Sequence, residues 1–252
     1  MIKIKVLGNY APNLKGLPGS SYLINGLSKI ILLDLGNGNF KKLVKEINED
    51  QISNLIVILS HNHVDHSYDV LKLASYLKKC KKKIKIYLPK KSLMYEIIVN
   101  FKRVFDVNII NEKTKIYIDD CVIDFCQTFH RGESYATRIT KCDKTFVYTS
   151  DMSYMSIGLK YFCKGANVVL IDSGIPLENK FHLKGYHGIT KDILEELFSD
   201  ECNVKCVLAS HLKASIKDED YIRVFPKKGN VNLVKMGNEY IIFPWQIRKK
   251  YI

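Results

Sequence analysis

The chain has no apolar run of roughly 18 residues or more, the length a helix needs to cross a bilayer. Its opening, MIKIKVLG at 1–8, alternates like a strand and has no charged head followed by an apolar core. A cytoplasmic protein, neither exported nor membrane-spanning, is therefore expected. Cys-x-x-Cys pairs are also missing, which excludes a zinc ribbon or a dithiol redox site. The seven cysteines, at 80, 121, 126, 142, 163, 202 and 206, are odd in number and fit reduced, mostly buried thiols. Internal repeats, low-complexity stretches and linkers are absent as well, so 1–252 reads as one domain.

Arginine is scarce. Only five of the 39 basic residues are Arg (103, 131, 138, 223 and 248), whereas nucleic-acid readers rely on its forked, planar contacts. The formal charge of +13 favours an anionic partner, but a general lysine bias would give the same number. The densest basic run, Lys78 to Lys85, falls between an expected helix and an expected strand. A solvated turn is the main reading and a nucleic-acid patch the alternative.

The order of elements reads as two β-then-α halves. Strands are expected at Ile2–Leu7, Ser21–Ile24, Ile30–Leu33, Leu55–Leu59 and Ile84–Leu88, with helices near Phe40–Ile47 and Tyr68–Lys79. The second half offers strands at Val122–Phe125, Tyr135–Ile139, Thr145–Tyr148, Val168–Ile171 and Lys205–Ala209, with helices near Ser153–Cys163 and Lys191–Phe198. Such a pattern suggests an α/β sandwich of two sheets with helices outside.

Chemistry concentrates after Ile56 to Leu59. That apolar strand is followed by His61, His63, Asp65 and His66: three of the seven histidines in one window of six positions. Neutral imidazole and carboxylate suit zinc and related first-row metals, and a strand end holds them rigidly.

His61-x-His63-x-Asp65-His66 after a hydrophobic strand resembles the signature of the metallo-β-lactamase superfamily, and the likeness extends over nearly the whole chain. Asp34-Leu-Gly36 matches its Asp-x-Gly element, while His130, Asp151 and His211 each follow a strand-like run. The resemblance implies a four-layer αββα sandwich with two divalent ions. Zinc is preferred, with Mn²⁺ or Fe²⁺ also compatible. One ion would be held by His61, His63 and His130, the other by Asp65, His66 and His211, with Asp151 bridging. Asp65 also counts among the catalytic residues, and Asp34 would orient a ligand histidine from behind. Two such ions about 3.5–4 Å apart lower the pKa of a water held between them. Four positive charges less Asp65, Asp151 and one hydroxide leave about one net positive charge, which favours an anionic substrate.

Within the superfamily, the chain resembles the phosphodiesterase branch containing ribonuclease Z. Val6 to Gly8, Pro18 to Ile24 and Phe146 to Asp151 carry the likeness. Gly185 to Thr190 resembles the branch's His-x-Thr element with one extra residue, which gives His187 a catalytic role by resemblance. Ribonuclease Z commonly carries a long arm between the residues matched by His130 and Asp151. Here 151 − 130 = 21 positions are too few for an arm and two strands. A small phosphodiester, such as a cyclic nucleotide, cyclic phosphate or short oligonucleotide, is thus expected ahead of precursor tRNA. Thioester or lactone hydrolysis and a non-enzymatic binding role are the rivals. Arg138 is read equally as a phosphate clamp or as half of an ion pair on a strand face. Tyr135 is read as core and His182 as an ordinary polar residue. Nucleic-acid binding and a homodimer stay open.

Overall fold

The computed structural model describes residues 2–12, 15–176, 187–242 and 247–250. Two compact units account for most of the chain, the first Met1–Ile110 with Lys235–Ile241, the second Asn111–Val234.

The first unit begins as an antiparallel meander of β1 (Lys3–Gly8), β2 (Ser21–Asn25) and β3 (Ile30–Leu33), with Ile4 opposite Ile24 and Tyr22 opposite Leu33. Helix α1 (Phe40–Glu46) then leads to β4 (Leu55–Ile58), which pairs parallel with β3. Short α2 (Val64–Ser67) and α3 (Val70–Cys80) precede β5 (Ile84–Pro89), and α4 (Leu93–Ile98) precedes β6 (Phe105–Ile110). Both β5 and β6 continue the parallel half of the sheet.

Strand β4 is buried at all four positions, as expected for a parallel strand covered on both faces. Helix α3 buries Val70, Leu73, Ala74 and Leu77, the i, i+3, i+4, i+7 stripe of an amphipathic helix. Leu73 and Leu77 join Leu32, Val57 and Ile86 in one apolar cluster, where each large side chain contributes about 1.5–3 kcal/mol by leaving water. The helix stops where Lys81 turns left-handed at φ 54, and Lys82 N–H donates to the Leu77 carbonyl at 3.0 Å. The basic run at 78–85 is thus a helix-terminating turn whose Lys78, Lys79, Lys81 and Lys83 are exposed.

The second unit repeats the same logic. β7 (Lys115–Ile118), β8 (Cys121–Gln127), β9 (Tyr135–Lys141) and β10 (Lys144–Tyr148) are antiparallel. After α5 (Ile157–Cys163) comes β11 (Val168–Asp172), after α6 (Thr190–Leu197) comes β12 (Cys206–Ser210), and after α7 (Asp218–Ile222) comes β13 (Asn230–Leu233), all parallel. Helix α5 starts later than Ser153 because Ser156 caps it, its Oγ accepting from Leu159 N–H at 3.1 Å. Strands β14 (Glu239–Ile242) and β15 (Ile247–Lys250) then return to the first sheet, β14 pairing antiparallel with β1.

All seven cysteines are free of disulfide bonds. Among the described residues no helix is long and apolar enough to cross a membrane.

Candidate metal centre

In the first unit the functional side chains follow β4. His61 is buried and His63 half-buried, and α2 carries Asp65 and His66, both buried, in its opening turn. The His61 ring lies 4.6 Å from that of His63 and 4.2 Å from that of His66, centroid to centroid. His66 Nε2 stands 3.4 Å from Asp65 Oδ2.

Asp34, at the end of β3, organises this cluster from behind. Its Oδ1 accepts from Ser60 N–H at 2.7 Å, and its Oδ2 accepts from Ser60 Oγ and from His66 Nδ1, both at 2.8 Å. Ser60 Oγ in turn lies 3.0 Å from His61 Nδ1. One carboxylate therefore fixes the Nδ1 side of His66 directly and that of His61 through a hydroxyl. Asp34 holds φ 57, a left-handed conformation that aspartate tolerates better than most residues.

The backbone of the ligand segment sits in a cradle. Ser20 N–H donates to the Asp65 carbonyl at 2.7 Å and Leu35 N–H to the His66 carbonyl at 2.8 Å. A Cβ on Gly19 or Gly36 would collide with the Asp65 carbonyl, so the glycine of Asp34-Leu-Gly36 is there for close backbone approach.

In the second unit the residues come from separate strand ends: His130 beyond β8, Asp151 beyond β10, Asp172 ending β11 and His211 beyond β12. His187 precedes α6. Asp151 is the hub, with Oδ1 3.0 Å from His211 Nδ1 and Oδ2 3.6 Å from His130 Nε2. The His187 ring lies 5.6 Å from that of His130 and 5.1 Å from that of His211. Ligand atoms of Asp151, Asp172, His187 and His211 all fall within 4.8 Å of one another. Ser150 and His211 both take φ 56, so the chain turns through the left-handed region just beyond β10 and β12.

Asp172 is a candidate that sequence reasoning missed. Its Oδ2 receives His187 Nδ1 at 2.6 Å, while Oδ1 accepts from Gly174 N–H at 2.9 Å. Burial disfavours the charged imidazole, yet the Asp172 charge and hydrogen bond, with help from Asp151, outweigh it and raise the His187 pKa to about 9. Bound cations beside Asp151 would draw that value back down. The available signal was Asp172's place at the end of an apolar strand, a setting like that of Asp151 and His211.

Arg138 is not gathered with these residues. It lies midway along β9, and its Nη1 donates to the Phe162 carbonyl in α5 at 2.7 Å. The guanidinium thus ties α5 to the sheet through a backbone contact that neither expected role described. Tyr135 is buried in the core, where burial pushes its pKa up, and its hydroxyl donates to Glu133 at 3.0 Å. His182, Gly185 and Tyr186 lie outside the described residues.

Each cluster offers buried imidazole and carboxylate donors, and the ring nitrogens behind His66 and His187 are held by carboxylates. That is the donor set divalent first-row metals take.

Comparison with known proteins agrees with this chemistry. The model of the beta-lactamase superfamily domain matches residues 31–189. The probable metallo-hydrolase YhfI of Bacillus subtilis (strain 168) is 26% identical over 180 residues, 67% of this chain and 71% of its own. The crystal structure of YhfI, a metallo-beta-lactamase fold protein, superposes with a TM-score of 0.82 at 24% identity, covering 94% of this chain and 98% of that one. A diphosphatase from the PhnP family gives a TM-score of 0.75 at 13% identity, covering 98% and 100% of the two chains. The short form of human tRNase Z gives 0.72 at 16% identity, covering 96% and 99%. The fold is the metallo-β-lactamase fold, and the chain belongs to the metallo-β-lactamase superfamily.

Proposed function

We propose that the two ligand clusters act together as one dinuclear centre that hydrolyses a small phosphodiester. In this reading His61, His63 and His130 hold one ion, Asp65, His66 and His211 hold the other, and Asp151 is shared. Zinc is the ion proposed, with Mn²⁺ and Fe²⁺ satisfied by the same donors. When bound, such a pair supplies a Lewis acid and a water whose pKa lies near neutrality.

The observation that carries the reading is the Asp172–His187 pair. With Nδ1–H donated to Asp172, His187 has Nε2 for work beside the ligands. That atom can pass a proton to a leaving alkoxide or hold a non-bridging phosphate oxygen. Asp172 keeps the ring in the required tautomer, and Asp34 does the same for His66. Phosphoryl transfer, with its anionic oxygens and poor alkoxide leaving group, has use for both services. Two structural relatives, the diphosphatase and the tRNase Z, are named for cleaving phosphate esters or anhydrides, which supports the same class.

A small diester is favoured over precursor tRNA. Between His130 and Asp151 the chain is taken up by β9 and β10, with no room for an arm that would hold a folded RNA. Seven cysteines without a disulfide fit the cytoplasmic setting we propose.

The test is a substrate panel on metal-reconstituted protein. Turnover of bis(p-nitrophenyl) phosphate or of a 2′,3′- or 3′,5′-cyclic nucleotide is expected, with little release of a tRNA 3′ trailer. Strong activity on thioesters or lactones with weak activity on every diester would overturn the assignment. Site-specific trailer release at rates matching the small diesters would reverse the order of substrates.

A further inference from the structure

A cleft of about 650 Å³ opens beside the second unit's ligand loops, within the roughly 300–1,000 Å³ typical of small-molecule sites. Phe129, next to His130, and Tyr154, three residues beyond Asp151, line it together with Gln127 and Thr128. The two rings stack, with centroids 4.7 Å apart and planes at 27°. They are nevertheless 55% and 50% exposed. Single exposed aromatics are ordinary, but a stacked pair on a cleft wall is not scattered surface.

The stack is also tied to the ligands. Ser153 N–H donates to the Phe129 carbonyl at 2.6 Å, and Thr128 Oγ1 donates to the Asp151 carbonyl at 2.9 Å. These bonds fix the aromatic wall relative to the loops carrying His130 and Asp151. The lining also includes Glu112 and no ligand residue, so what joins the cleft to the ligand loops is the adjacency of Phe129 to His130 and these two bonds. Planar π surface, an exposed amide at Gln127 and an open mouth match one chemical class well: a base stacks on aromatic faces whatever its sequence, and an amide can read its edge.

We propose that this cleft is a subsite for the nucleobase of a nucleoside-bearing phosphodiester, with Phe129 and Tyr154 as the stacking wall and Gln127 at the base edge. The proposal rests on the phosphodiester reading above and narrows it, since a base-free cyclic phosphate or dialkyl diester would leave the wall unused.

The experiment compares two probes by calorimetry on the metal-reconstituted full chain: adenosine 5′-monophosphate and ribose 5-phosphate, which differ by the base. The native protein should prefer the nucleotide by roughly 10- to 100-fold, the scale of stacking one base on aromatic side chains. A Phe129→Leu, Tyr154→Leu double variant, which keeps apolar bulk, should bind both probes about equally while its affinity for ribose 5-phosphate stays near native. Gln127→Ala, an exposed change with little risk to folding, should cut the preference several-fold. Equal native affinities, failure of both probes to bind, or a preference that survives in the double variant together with Gln127→Ala would overturn the subsite. The two proposals fail separately: diester turnover without nucleotide preference sinks the subsite alone, and nucleotide preference without turnover of any diester sinks the reaction alone.

Discussion

The two units use one topology to deliver ligands in two ways. Each runs from an antiparallel meander into parallel strands, and each places its functional groups where parallel or meander strands end. The first unit takes four ligand candidates from one strand end and one short helix, all between His61 and His66. The second takes His130, Asp151, Asp172 and His211 from four different strand ends. Concentration makes the first cluster depend on what stands behind it, Asp34 and Ser60. Dispersal makes the second depend on its hub, Asp151, which lies within 3.0 Å of His211 and 3.6 Å of His130.

That contrast can be broken most severely at the hub. Asp151→Ala should abolish retention of both ions and cut diester turnover by at least about 10³-fold, more than the 10–100-fold typical of changes behind a ligand. Elemental analysis with steady-state rates checks this, and a variant that kept two ions per chain would remove Asp151 from the bridging role. A smaller loss is expected one step away, at His187. Changing it to Ala should leave metal content intact and slow alkyl or nucleotide diesters by roughly 10²-fold, while p-nitrophenyl diesters, whose phenolate leaves without a proton, suffer much less. Equal losses on both substrates would make His187 a phosphate-binding residue, and loss on neither would return it to the loop.

The first unit should respond in proportion to its supports. Asp34→Asn removes the charge that holds His66 Nδ1 and weakens the relay through Ser60 to His61, so metal affinity should fall by roughly 10- to 100-fold while the fold persists. Competition with a chelator measures it, and unchanged affinity would make Asp34 a folding residue only. Smallest of all, Gly36→Ala forces a methyl against the Asp65 carbonyl and should cost about 1–3 kcal/mol of stability by overpacking. Urea denaturation of the metal-free protein reads that cost, and a neutral result would show that the cradle around Asp65 yields easily.

The same contrast explains what could be read from the sequence. The His61–His66 cluster was legible because a single strand end carries it, and its parent β4 is an unbroken apolar run. Central strands such as β3, β10 and β11 announced themselves in the same way, to within a residue or two. Strands β6, β7, β13, β14 and β15 did not, and all of these but β14 lie at sheet edges. β6 buries only Phe105 and Ile110 fully, and β13 only Leu233, so their apolar signal is thin. The Asp172–His187 pair was hidden for a different reason: fifteen positions separate the partners, and no local period links them. Arg138 was misjudged because a cation's reach toward a helix carbonyl leaves no trace in sequence spacing.

Strand β1 is bordered on one side by β2, made shortly after it, and on the other by β14, with Ile4 opposite Tyr240. The whole second unit is translated between those two partners. A ribosome therefore finishes the second sheet while one edge of the first still waits for its neighbour, and that waiting edge is the natural place for a chaperone to guard or for a nascent chain to aggregate. Glu239–Ile242 closes that edge, so the first sheet is completed only after the second unit has been made.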